Sequence, residues 1–287
     1  MNQDAAQAVI VATSFVARGS VGLRATGFAL ERLGHPVWAV PTVFLPWHPG
    51  HGRATRSVPD AGGFAAGVEE LADSRWLDEV GAIVTGYLGA ADQATALVRL
   101  VETAKARRPE ILYFCDPVIG DEAGLYVPEA TATAIRDRLL PLADIATPNR
   151  HELGWLTGQP TDSVGAALAA ARALGPARVL ATSVPALMRN SVAMVYATPH
   201  GAFASEHPLV AHTPRGAGDL AAGLLAHQIL AGASDELALE RTAAGAFEIV
   251  ARSARAGADE LAIVVEQGRL PRPMAMVQMR RLAEAKG

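Results

Sequence analysis

The sequence is poor in three things, and each shortage excludes something. It has one cysteine, Cys115, in 287 residues, so neither an intrachain disulfide framework nor a cysteine-built metal cluster is open to it. Its charged fraction is low, 19%, with a formal net charge of −4. Without a basic surplus it has little with which to neutralise a phosphate backbone, which excludes nucleic acid as the main partner. It also lacks an uninterrupted apolar run of membrane-spanning length and a basic-plus-apolar leader. No membrane partner is expected, and the expected location is cytoplasmic. What the chain does have is apolar residues, 50% of the total, enough to build a sizeable core.

Short apolar runs rich in β-branched residues alternate with longer segments of helical period. Strands are predicted at 9–12, 37–40, 82–85, 111–115, 144–147 and 178–182. Helices are predicted at 23–33, 64–77, 92–107, 128–139, 163–174, 220–231 and 235–255, with another following Asn149 as far as 158. Residues 1–8 read as a lead-in, and 191–196 with 202–207 as an antiparallel hairpin. The last stretches, 260–267 and 274–285, read as helix. Residues 41–59 hold four prolines and two glycines, too irregular for an element, and are expected to form a surface loop or small flap. The alternation predicts an α/β protein, one domain over 1–287, with a mostly parallel central sheet and helices on both faces. In such sheets ligands bind beyond the carboxyl ends of the strands. Ser14, Thr42, Tyr87, Asp116, Asn149 and Thr182 all stand at or just past such an end, and that coincidence points to an enzyme.

The clearest chemistry lies in Gly216-Ala-Gly-Asp219, which runs straight into an apolar helix. Such a turn aims successive N–H groups and the positive end of a helix dipole at one spot, suited to a phosphate or a developing anion. Asp219, in the first helical turn, would be placed to take a proton from a group held there; the plainer reading is a tight turn with aspartate at a helix start. No Gly-Lys-Ser/Thr follows, so this is not a Walker A loop, and it comes too late in the chain for a Rossmann fingerprint. In Cys115-Asp-Pro-Val-Ile-Gly-Asp121, Asp116 and Asp121 suit a hydrated Mg²⁺, or Asp116 simply caps a turn. Asn149 and Glu152 share one face of a helix start, or form a capping box. His48 and His51 lie in the proline-rich segment, which offers a metal no rigid geometry. Cys115 reads as a small buried apolar residue.

Together these motifs resemble the ribokinase-like superfamily, and within it the pyridoxal kinases, over roughly the whole chain. The resemblance is carried by Thr42-Val-Phe-Leu-Pro-Trp-His48, Gly86-Tyr-Leu-Gly89 and Tyr113-Phe-Cys-Asp-Pro-Val-Ile-Gly120 with Leu125-Tyr-Val-Pro128. Pro141-Leu-Ala-Asp-Ile-Ala-Thr-Pro-Asn149 with Glu152, and the closing Gly216-Ala-Gly-Asp219, complete it. It implies a three-layer ribokinase-like fold and an ATP-dependent kinase that phosphorylates the 5′-hydroxyl of pyridoxal in vitamin B6 salvage. It also implies a homodimer that uses Mg²⁺ and a monovalent cation such as K⁺. By matching positions, Asp219 would be the base and Gly216, Ala217 and Gly218 the N–H donors to the transferring phosphoryl. Asp116, Asp121 and Glu152 would hold Mg²⁺, mostly through water, with Asn149; Asp116, Thr147, Asn149, Glu152, Thr182 and Gly218 would lie along the ATP. On the acceptor side Ser14 would hydrogen-bond the ring substituents, Val43 would line the ring pocket, Tyr87 would pack on the ring and His48 would belong to the flap.

Several positions depart from the family pattern. Phe15 stands where a histidine is usual, Arg18 where a tyrosine and Leu23 where an asparagine is common. Pro49 replaces a frequent threonine, and Leu45 an aromatic that packs on the ring. Arg215 replaces a small apolar residue just before the glycine turn; it would attract an anionic group on substrate or nucleotide, or point into solvent. These changes bear on the acceptor and leave the transfer chemistry intact. Two other readings compete: the same fold acting on hydroxymethylpyrimidine or a sugar, and a ligand-binding protein without catalysis. Aspartate at 219 weighs against the pyrimidine, the short 41–59 segment against a sugar, and the intact acidic positions against lost catalysis.

Overall fold

The computed structural model describes residues 7–283. In chain order the elements are β1 (Ala8–Arg18), α1 (Thr26–Arg32), β2 (Val37–Trp47), α2 (Ala61–Asp73), β3 (Val80–Thr85), α3 (Gln93–Arg107) and β4 (Leu112–Cys115). There follow a two-strand ribbon, β5 (Gly120–Asp121) and β6 (Gly124–Leu125), then α4 (Glu129–Ala134), β7 (Ile145–Ala146), α5 (Arg150–Thr157) and α6 (Val164–Ala173). The last part comprises β8 (Arg178–Pro185), β9 (Ser191–Thr198), β10 (Gly201–Pro208), α7 (Ala217–Leu230), α8 (Asp235–Arg255) and β11 (Gln278–Leu282).

The strands form one nine-stranded sheet in the order β11-β10-β9-β8-β7-β4-β3-β1-β2. From β2 across to β8 every pairing is parallel; β9, β10 and β11 extend the sheet antiparallel. The alternation of side chains along β1 explains why both faces are covered. Ile10 and Ala12 enter a core shared with α2, α3 and α6, through residues such as Val68, Leu97 and Ala170. Val9 and Val11 enter the opposite core, against Leu30 of α1, Leu224 of α7 and Ile249 of α8. The three-layer α/β fold expected from the sequence is therefore present. Among the described residues no helix is long and apolar enough to cross a membrane.

Four segments differ from the sequence reading. β1 does not stop at residue 12 but runs on to Arg18, so Ser14 lies within the strand, at its register slip, rather than past its end. Residues 41–47 are not loop: β2 runs through Pro41 and Pro46 to Trp47. It is an edge strand with a ladder on one side only, and that is where a sheet tolerates proline. The irregular flap is therefore shorter than expected. It begins after Trp47 with a short 3₁₀ turn at Pro49–His51 and reaches Ser57, whose backbone exchanges hydrogen bonds of 2.8 and 3.0 Å with Phe44. Residues 260–267 form turns leading into a 3₁₀ turn at Gln267–Arg269 rather than a helix. The 274–285 stretch is not helical where it is described: it supplies β11, which pairs with the free side of β10. Good helix formers there yield to an available sheet edge, a tertiary override of propensity. Residues 284 and 285 of that expected helix, and 1–6 of the expected lead-in, lie outside the described residues.

Candidate active site

The carboxyl ends of the parallel strands converge on two adjoining cavities. One, of about 690 Å³, is walled by Ser14, Leu45, His48 and Tyr87 on one side and by Asp116, Glu152 and Asp219 on the other. The second, of about 750 Å³, extends towards α8 and ends on Val192, Met194, His207 and Phe247. Asp121, Asn149, Thr182, Ala217 and Gly218 line both, so the cavities meet at the start of α7.

That start is built by a glycine. Gly216 caps α7 with φ +93°, and a Cβ there would stand 2.1 Å from the carbonyl oxygen of Ser20. Only glycine fits both the left-handed backbone and the close approach. The first N–H groups of a helix have no carbonyl of their own turn to donate to, and those of Ala217 and Gly218 front the junction. Asp219 follows in the first turn, half-buried, its carboxylate accepting a hydrogen bond from the backbone of Gly22. Burial raises its pKa to about 6, against the pull of that hydrogen bond. Gly22 is itself left-handed at φ +55° and packs against Ser14, where a Cβ would stand 2.3 Å from Oγ. The β1–β2 register slips between Thr13 and Phe15, and such a bulge re-aims the residue within it, here Ser14.

Asp116 directly follows β4 and is buried, its Oδ1 accepting from the Thr147 hydroxyl at 2.7 Å. Burial, and then the charge of Asp219, push its pKa up to about 8. Asn149 and Glu152 form the capping box of α5. Glu152 accepts from the N–H groups of Asn149 at 2.8 Å and Ile119 at 3.0 Å, while the Asn149 amide donates to Gly120 O at 2.8 Å. Burial raises the Glu152 pKa well above normal, Asp116 adds to this, and the backbone N–H donors of Asn149, Ile119 and Gly120 oppose it. The plainer reading of this pair is thus realised, and it has a consequence for the site: α5 is tied to the 119–121 turn that carries Asp121. Asp121 accepts from Ala123 N–H at 2.9 Å and faces Arg215 Nη1 at 3.4 Å.

Tyr87 is fixed from several sides. Its N–H donates to Thr13 Oγ1 at 3.0 Å, its carbonyl accepts from Thr42 Oγ1 at 2.6 Å, and its hydroxyl accepts from Arg56 at 3.3 Å. Arg56 also donates to Gly89 O, so it clips the flap to the segment that carries Tyr87. His48 accepts from Gly50 N–H at 3.0 Å; burial lowers its pKa, as does the nearby Arg215 charge. Val43 is fully buried among Val16, Val21 and Leu45; it stands behind the cavity wall, and Leu45, two residues along the strand, lines the cavity instead. The other sequence-predicted residues, Ser14, His48, Tyr87, Asp116, Asp121, Thr147, Asn149, Glu152, Thr182 and Gly216–Asp219, are brought together around the one cavity.

Sequence reasoning missed Arg56, and missed Glu260, whose carboxylate accepts from Ser20 N–H at 3.0 Å and lies 2.7 Å from His51 Nε2. It also missed the apolar end of the second cavity, where His207 stacks on Phe247 with ring centroids 4.5 Å apart. These residues carried no signal, since in sequence they look like ordinary loop, hairpin and helix-core positions.

Among the described residues no group of three or more His, Cys, Asp and Glu forms a protein-only metal site. Mg²⁺ does not require one, because it binds through one or two carboxylates, waters and substrate phosphates. Buried carboxylates at Asp116 and Glu152 whose pKa values are raised are short of positive charge, and that donor set fits a hard divalent cation.

Two adjoining cavities of about 750 and 690 Å³ that meet at a glycine turn on the carboxyl edge of a parallel sheet are the arrangement of a ribokinase-like kinase. Residues 65–263 match the family described as phosphomethylpyrimidine kinase. A pyridoxal kinase from Rubrobacter xylanophilus is 35% identical over 290 residues, covering 99% of this chain and 100% of the relative. One from Leifsonia xyli is 37% identical over 264 residues, covering 88% and 92%. A solved structure, pyridoxal kinase from Leishmania donovani in complex with ADP and pyridoxine, superposes with a TM-score of 0.89 at 25% identity, covering 96% of this chain and 99% of that one. The chain belongs to this kinase family, and within it to the pyridoxal kinases.

Proposed function

We propose that the protein transfers the γ-phosphoryl group of ATP to the 5′-hydroxyl of pyridoxal, giving pyridoxal 5′-phosphate and ADP. The observation that carries this reading is the position of Asp219: a half-buried carboxylate one step inside the glycine turn, lining the first cavity beside Gly218, where the two cavities meet. The nucleotide base would occupy the apolar end beside Phe247, with its phosphates reaching the turn. Pyridoxal would lie between Ser14, Tyr87 and His48, its hydroxymethyl group directed at Asp219.

Phosphoryl transfer needs alignment and charge neutralisation more than covalent help. Asp219, with its pKa raised to about 6, would take the hydroxyl proton and still be ionised at neutral pH. The N–H groups of Gly216, Ala217 and Gly218 would hold the transferring phosphoryl, a contribution of roughly 2.7–4 kcal/mol per well-placed donor by analogy with oxyanion holes. Asp116, Asp121 and Glu152, with Asn149, would hold Mg²⁺ largely through water, and Thr147 and Thr182 would border the phosphates. Bound Mg²⁺ supplies charge neutralisation between the phosphate oxygens. A monovalent cation and a homodimer belong to the same reading, tested by K⁺ titration and by sedimentation.

The direct test is ADP release coupled to a colour change, with pyridoxal, pyridoxine and pyridoxamine as acceptors; absence of turnover with all three would end the proposal. The match over 65–263 to phosphomethylpyrimidine kinase favours one second reading, hydroxymethylpyrimidine as acceptor, and the same assay with that alcohol decides between them.

A further inference from the structure

Among the described residues that line both cavities Arg215 alone is basic, and in the acceptor cavity, whose lining also includes Asp116, Asp121, Glu152 and Asp219, it is the only lysine or arginine. Its backbone is held: it immediately precedes Gly216 and forms a parallel bridge with Glu260, which is itself anchored to Ser20 and His51. Its tip is held only loosely. The guanidinium lies 3.4 Å from Asp121, with the two side chains 58% and 38% exposed, and so long and open an ion pair is weak. The Nε atom stands 3.8 Å from where a Cβ on Gly50 of the flap would be. Arg215 therefore bridges the flap and the acidic turn across the junction through which the transferring group must pass.

On the reading given under Proposed function, we propose that Arg215 is a catalytic residue: its guanidinium leaves Asp121 for the transferring phosphoryl group and holds the charge on its equatorial oxygens. A planar guanidinium donates two parallel hydrogen bonds to a phosphoryl group, stronger than one slack contact to an exposed carboxylate. In the step itself the bond from the γ-phosphorus to the β–γ bridging oxygen breaks, and its electron pair leaves with ADP. The acceptor oxygen bonds to that phosphorus, and its proton passes to Asp219. Arg215 stays protonated throughout.

The test uses the full chain with Arg215→Met and Arg215→Lys, each checked for an unchanged melting temperature, as expected for an exposed side chain. Arg215→Met should lower kcat with pyridoxal by about 10²-fold, the scale of one charge-stabilising donor, with KM for pyridoxal nearly constant; Arg215→Lys should restore part of it. A second arm needs no acceptor: calorimetric binding of ADP with Mg²⁺, with and without fluoroaluminate as a mimic of the transferring group. Wild type should gain affinity from fluoroaluminate, and Arg215→Met should lose about tenfold or more of that gain while binding ADP with Mg²⁺ alone as before. Unchanged kcat, or an unchanged fluoroaluminate gain, overturns the proposal. A wild-type protein inactive on pyridoxal that still shows the Arg215-dependent gain would overturn the acceptor reading and support Arg215.

Discussion

At Gly216 the main chain has φ +93°, and an added Cβ would meet the Ser20 carbonyl at 2.1 Å, so Gly216→Ala must shift the turn that positions the N–H groups. The left-handed backbone alone costs about 1–2 kcal/mol for a residue with a Cβ, and the clash adds to it. Scanning calorimetry should show Tm lowered by several degrees, with turnover falling further than stability explains; unchanged values would contradict the role given to the turn. The pKa values of Asp219 and Asp116, raised to about 6 and about 8, make two pH predictions. As a base Asp219 must be ionised, so kcat/KM should fall as pH drops through about 6, well above the range for an ordinary aspartate. Stability runs the other way. A folded-state pKa raised above the unfolded value means stability fully present below the ordinary aspartate range and lost as pH rises through about 8 for Asp116. Asp116→Asn removes that dependence, so its Tm should gain on wild type across that window, with a slope of up to about 1.4 kcal/mol per pH unit. A Tm difference independent of pH would show that Asp116 is not held protonated. Gly216 and Asp219 were legible in the sequence because a glycine turn before an apolar helix can be read locally. Their contacts to Ser20, Gly22 and Asp116 were not, since those residues lie far away along the chain.

Among the elements, β2 and the flap wall the cavity that the proposal assigns to the acceptor. Pro41 and Pro46 suggested a break in sequence, yet the strand continues because an edge has a side with no ladder to satisfy. Arg56 clips the segment after the strand to Tyr87 and Gly89. Arg56→Ala should raise KM for pyridoxal about 2- to 10-fold, the worth of one net hydrogen bond, and leave KM for ATP unaltered; equal effects on both substrates would mean the flap also serves the nucleotide. The α/β alternation was legible because the central parallel strands, such as the first part of β1 and β3, are buried on both faces and read as short apolar runs between periodic helices. The tail was not. Residues 274–285 are good helix formers, and only the open edge of β10 makes 278–282 a strand.

At the scale of the molecule, the sheet brings residues from several strand ends and the start of α7 to one junction, and on the proposed reading the two cavities on either side of it would separate donor from acceptor. The acceptor side was read largely from resemblance, and there the structure moves Val43 behind the wall and puts Leu45 on the cavity. His207 and Phe247, at the apolar end of the second cavity, are joined by the packing of α8 on the sheet. Nucleotide binding should stabilise the whole: ADP with Mg²⁺ at about a hundredfold over Kd should add about 2.7 kcal/mol, read as a rise in Tm that pyridoxal extends. The central claim is that Asp219 is the base at the junction, and Asp219→Asn measures it most directly, because the amide keeps the shape and removes the basicity. A base at this position means kcat reduced about 10²–10⁴-fold, with Kd for ADP and for pyridoxal retained; turnover equal to wild type, in a variant that binds both, would contradict it.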